Sequence, residues 1–108
     1  MQNLNYDKYI KQIEPILKKY DIDKVWVFGS YARGEETNDS DLDLAYERKN
    51  KYSMFDELST MKFINALSNA INDLEIHVTN INNILKSNTN LSKSVKNDLI
   101  LVYQKGEM

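Results

Sequence analysis

A β-sheet covered by helices, of the α/β or α+β class, is what this sequence predicts, and three observations carry the prediction. "KVWVF" (24–28) holds a continuous run of apolar, branched and aromatic residues, as in a central strand covered on both faces. "SDLDLAY" (40–46) and "LEIHVT" (74–79) alternate between apolar and polar, the period of a half-buried strand. Apolar residues at helical spacing flank these strands: Ile10, Ile13, Leu17 and Tyr20 before them, and Met54, Leu58, Met61, Ile64, Leu67 and Ile71 between them. Elements interleaved in this way pack as layers around one core.

Taken in order, the first helix covers residues 5 to 20, with Asn5 as its N-cap and Asp7 suiting its positive start. Pro15 lacks an amide hydrogen, so a kink or two short helices are expected there. After the 24–28 strand, Gly29 opens a short helical turn, and "YARGEETNDS" runs into an exposed polar loop. On the 40–46 strand Asp41, Asp43 and Ala45 share one side, and Leu42, Leu44 and Tyr46 the other. Ser53 and Asp56 resemble a capping box at the start of the long helix. On the 74–79 strand Leu74, Ile76 and Val78 oppose Glu75, His77 and Thr79. Ile81, Ile84 and Leu85 suggest a helical turn, "SNTNLS" a loop, and Ser92 to Asn97 a short helix. "LILVY" (99–103) is either a last strand or the end of that helix.

A length of 108 residues holds one domain, so 1–108 is read as a single unit. The absence of cysteine excludes a disulfide framework, a thiolate metal site and a cysteine nucleophile. The N-terminal stretch has no apolar segment of signal-peptide length, and no run is long enough to span a bilayer. The expectation is a soluble cytoplasmic protein with no membrane contact. A formal net charge of -2 with mixed signs gives no broad surface for nucleic acid, and leaves room for a local cationic pocket.

The residues that carry chemistry lie between 27 and 77. Gly29 lets the backbone approach a ligand, and a helix starting at Ser30 would aim its free amides at an anion. A strand-ending glycine with a serine cap would look the same. Gly29 and Gly34 mimic a phosphate-binding P-loop, but Glu35 and Glu36 stand where Lys and Ser or Thr are required. Asp41 and Asp43 point the same way, roughly 6.5 Å apart along the strand. Such a pair raises each other's pKa unless a cation intervenes, and beside a phosphate cradle it is what magnesium needs. Glu75 would add a third carboxylate, a natural set for two metal ions. Asp73 is the rival, but reads as a turn residue. His77 shares the face of Glu75 and is read as a hydrogen-bonded bystander, with a role in positioning the acceptor or acting as a base as the alternative. Arg33 suits phosphate oxygens by its fork geometry, and equally a surface ion pair with Glu35, Glu36 or Asp39.

"GSYARGEETNDSDLDL" resembles the signature of the nucleotidyltransferase superfamily that includes polymerase β: Gly-Ser, a spacer, then Asp-x-Asp. More narrowly, the chain is similar to the MNT-type minimal nucleotidyltransferases, stand-alone catalytic domains of prokaryotes. The resemblance implies a mixed sheet of about three to four strands with helices packed on it. It also implies that Asp41, Asp43 and Glu75 bind magnesium, two ions in all, and that Gly29 and Ser30, with Arg33, hold the triphosphate of ATP. Glu75 would also draw the proton from the attacking hydroxyl. The family commonly has Asp at the third position, so Glu75 is a departure, longer by one methylene.

By the same resemblance the chain is an antitoxin that attaches AMP to a tyrosine hydroxyl of a HEPN-family ribonuclease toxin. Two other readings use the same residues. One is a nucleotidyltransferase for a small molecule such as an antibiotic; the other is a binding antitoxin that masks its toxin with little or no catalysis.

Overall fold

The computed structural model describes residues 6–49, 57–87 and 89–106. Its elements, in chain order, are α1 (Asp7–Lys19), β1 (Lys24–Phe28), α2 (Ser30–Arg33), β2 (Leu42–Glu47) and α3 (Glu57–Ala70), then β3 (Ile76–Asn80), α4 (Ile81–Lys86), α5 (Asn90–Asp98) and β4 (Ile100–Gln104). The strands form one mixed sheet in the order β3-β2-β1-β4, with β1 antiparallel to β2 and β4, and β2 parallel to β3. The α/β class and the mixed four-stranded sheet agree with the sequence. The last segment is a strand, and it pairs with the first one, β1.

Strand alternation divides the sheet into two faces. Val25 and Val27 of β1, Leu42, Leu44 and Tyr46 of β2, and Ile76 of β3 form the main core with α1 and α3. From α1 come Tyr9, Ile10, Ile13 and Leu17, and from the α3 segment Phe63, Leu67 and Ile71. The opposite face is smaller. Ala45 is fully buried there beneath Ile81 and Ile84 of α4, with Trp26, Phe28, Val95 and Leu99 packed around them. The polar side of β2 thus carries Asp43 and Glu47 on either side of Ala45, and a small side chain at Ala45 lets α4 lie close to the sheet.

Three local details differ from expectation. A single helix runs through Pro15, so the chain does not break into two; Pro15 and Lys11 are both exposed, and water can serve the carbonyl that the proline leaves free. Asp7 opens α1 as expected, but the N-cap is Tyr6 rather than Asn5, and no side chain caps the helix there; Asn5, Met54 and the Ser53–Asp56 capping box lie outside the described residues. Leu58 and Met61 do not join the core: they are 59% and 61% exposed, and α3 buries Phe63 and Leu67 instead. The helix carries apolar residues on more than one side, and contact with Tyr20 and Tyr46 selects the Phe63 side.

Strand β3 passes into α4 with no intervening loop. Asn80 ends the strand in an extended conformation, and its side chain accepts a hydrogen bond from the Asn82 amide at 2.9 Å. This cap turns the chain back over Ala45, and leaves the start of β3 open.

Candidate active site

The carboxylates gather where β1 ends and β2 and β3 begin. Two devices deliver them. The loop before β2 is stapled by Thr37 and Ser40: the Thr37 amide donates to Ser40 Oγ at 2.8 Å, and the Ser40 amide to the Thr37 carbonyl at 3.1 Å. Asp41 follows directly. Asp43, on β2, is level with Phe28 on one side and with His77 on the other.

Gly29 follows Phe28 with φ 76 and ψ −152, a conformation open almost only to glycine. A β-carbon built on Gly29 would overlap the Asp43 carboxylate, so the missing side chain is the space in which Asp43 sits. Ser30 then starts α2, whose first hydrogen bond runs from the Arg33 amide to the Gly29 carbonyl at 3.1 Å. The amides from Ser30 to Ala32 come before that bond and are the ones an anion could use.

Of Asp41, Asp43 and Glu75, Asp43 is the most enclosed, with a side chain 26% exposed. Burial raises its pKa above the ordinary carboxylate value; Asp41 adds to the rise, and His77 and Arg33 oppose it. Glu75 precedes β3 and is largely exposed, and its carbonyl accepts from the Leu42 amide at 3.0 Å. One oxygen each from Asp41 and Glu75 and one ring nitrogen of His77 lie within 4.8 Å of one another. Two carboxylates and an imidazole at that spacing fit a divalent cation, and Asp43 adds a further oxygen beside His77 Nδ1 at 3.4 Å.

Asp73 takes no part in this cluster. It accepts a hydrogen bond from Tyr9 Oη at 3.0 Å and ties the start of α1 to the turn before β3. Asp73→Asn is expected to cost about 1–2 kcal/mol of stability, and to leave metal binding unchanged. Denaturant midpoints and a metal titration would check both.

The Arg33 guanidinium is engaged by Glu35 at 2.8 Å and by Asp98 of α5 at 2.6 Å. A phosphate would have to compete with both partners. His77, read from the sequence as a bystander, is brought by the structure into the cluster. The available signal was alternation, which set it on the face of Glu75; the register that brings it level with Asp43 was not readable from spacing.

A cleft of about 800 Å3 opens beside the cluster, between the start of α1, Tyr31 and the turn at Asp73. None of the four residues Asp41, Asp43, Glu75 and His77 is among those that line it. No described helix is long and apolar enough to cross a membrane.

The fold is that of a nucleotidyltransferase. The chain belongs to the family described as "Polymerase beta, Nucleotidyltransferase", whose model matches residues 11–108. A protein of Methanocaldococcus jannaschii named "Putative protein adenylyltransferase MJ0126" is 33% identical over 93 residues, 85% of this chain and 88% of that one. Among solved structures, a toxin–antitoxin crystal structure with AMP-PNP superposes with a TM-score of 0.62 at 18% identity, covering 89% of this chain and 73% of that one. A crystal structure of the MntA-HepT toxin–antitoxin gives 0.54 at 18% identity, covering 96% and 74%. At these identities the structural matches speak for the fold.

Proposed function

We propose that this protein transfers AMP from ATP to a hydroxyl of a partner protein, a tyrosine of a HEPN-type ribonuclease toxin, and so acts as its cytoplasmic antitoxin. The observation that carries the reading is Asp43, held against the Gly29 turn on one side and His77 on the other, with Asp41 and Glu75 beside it. The name of the M. jannaschii relative and the toxin–antitoxin neighbours support it. The chain acts as one minimal catalytic unit in this reading. The side chains of Glu75 and His77 are 74% and 58% exposed, which leaves the cluster accessible to an acceptor as large as a protein.

Asp41, Asp43 and Glu75 would hold magnesium, and two bound ions would supply positive charge at the attacking and leaving oxygens. Gly29 and the amides from Ser30 onward bind the triphosphate, and Arg33 joins them by exchanging Glu35 or Asp98 for a phosphate oxygen. The acceptor oxygen forms a bond to the α-phosphorus as the bond to the β-phosphate oxygen breaks, and pyrophosphate leaves. Glu75 takes the hydroxyl proton, and its exposure leaves it free to swing to that atom.

The test is intact mass. Incubation with Mg2+, ATP and the product of the neighbouring reading frame should add the mass of AMP to that product, and Asp41→Asn should remove the adduct. A stable complex without an adduct would overturn the catalytic reading in favour of masking. A neighbour that neither binds nor gains mass would overturn the antitoxin reading too.

A further inference from the structure

We propose that His77 is itself a ligand of the metal centre, and that its imidazole moves the preference of the site from Mg2+ towards later first-row divalent ions such as Co2+. The inference rests on reading this end of the sheet as a metal centre, and it concerns a residue to which the proposed reaction gives no task.

The register is the first argument. Parallel pairing sets Asp43 opposite His77, so these two are nearest neighbours across the strands on one face of the sheet. Glu75 lies two residues earlier, before β3 begins, at the level of the Leu42 amide. The position on β3 that looks at the enclosed carboxylate is held by nitrogen, not by oxygen.

Distances are the second. His77 Nε2 is 3.5 Å from Asp41 Oδ2 and 3.9 Å from Glu75 Oε2, and Nδ1 is 3.4 Å from Asp43 Oδ1. An N–H···O bond is ordinarily about 2.7–3.2 Å. The ring thus lies amid three carboxylates with none drawn to full hydrogen-bond contact, and two of them offer an oxygen within reach of one cation shared with the ring.

Donor chemistry is the third. Mg2+ is bound by oxygen and keeps much of its water, whereas imidazole suits later divalent ions, whose affinities rise from Mn2+ through Co2+. A neutral imidazole also adds a donor without adding a fourth negative charge to a cluster that already has three carboxylates. At 58% exposure His77 can turn to an ion without unpacking the core.

His77 is the single histidine of the chain, so tag-free protein gives an unambiguous signal. Titration with Co2+ alone, without nucleotide or partner, should produce an exchangeable imidazole N–H resonance shifted far outside the diamagnetic range, and His77→Ala should abolish it. Co2+ affinity in His77→Ala should fall by at least the roughly tenfold to hundredfold that an outer-shell partner is worth. Mg2+ affinity should change far less. His77→Asp, which makes the set all oxygen, should lower the ratio of Co2+ to Mg2+ affinity. Bound Co2+ without the shifted resonance would overturn the proposal, and so would equal Co2+ affinity in wild type and His77→Ala. These readouts need no adenylyl transfer: a protein that binds Co2+ through His77 and never modifies a toxin would sink the catalytic reading alone.

Discussion

Asp43→Asn is expected to lower adenylyl transfer by about a hundredfold to a thousandfold, while making the metal-free protein more stable. The two effects have one origin. Asp43 is partly buried at the centre of the cluster, and burial is the main cause of its raised pKa. Because the folded-state pKa lies above the unfolded one, the protonated carboxyl favours the fold below the unfolded pKa. That advantage is lost as pH rises through the folded value. At neutral pH the ionised group is a burden on the metal-free fold. Asparagine keeps the shape and removes the charge. The gap in melting temperature between Asp43→Asn and wild type should thus be small in acid, open as pH rises through the raised pKa, and stay open at neutral pH. Added divalent metal should reverse the order, since an ion that binds only the native wild type stabilises it by mass action. A wild type that is already the more stable without metal at neutral pH would contradict this account.

Gly29→Ala is expected to be nearly as damaging to activity, through geometry. The backbone at φ 76 and ψ −152 is strained by roughly 1–3 kcal/mol for any residue with a β-carbon. The new methyl would also occupy the place of the Asp43 carboxylate. Asp43 must then move, and a displacement of about 1 Å at a reacting centre can cost about a hundredfold in rate. A double-mutant cycle separates the two contributions. In Gly29→Ala/Asp43→Ala the overlap is relieved while the backbone strain remains, so the double variant should lose less stability than the sum of the single changes. Strict additivity in denaturant midpoints would show that the methyl and the carboxylate do not compete for space.

Much of this arrangement was legible because it depends on periods that side chains must obey. "KVWVF" had to be central, since Val25 and Val27 fill the main core while Trp26 and Phe28 pack beneath α4 and α5. Asp41 and Asp43 had to point together, and Gly29 had to end a strand. What stayed hidden depends on relations between distant segments. Helical spacing proposed Leu58 and Met61 for the core, but only the neighbours of α3 decide which apolar stripe turns inward, and Tyr20 and Tyr46 select Phe63. The partner of Asp43 on β3 depends on strand direction and stagger, which alternation leaves open. Glu75 and His77 are on one face by that pattern, and only the pairing Asp43↔His77 shows which of them is level with the buried acid. Arg33 is similar: its link to Asp98 joins residues whose proximity no local rule could foresee.

The parallel pairing of β2 with β3 also bears on the order in which the parts of the candidate site come together during folding. Antiparallel β1 and β2 are neighbours along the chain, so Gly29, Asp41 and Asp43 can meet through a short loop before β3 has docked. Residues 75–77 join them only through a long crossover, and such non-local contacts form late and slowly. A folding chain therefore lacks residues 75–77 of the candidate site until its third strand has docked. For a protein proposed to silence a toxin, the time spent waiting for that strand is a delay built into the order of its own sequence.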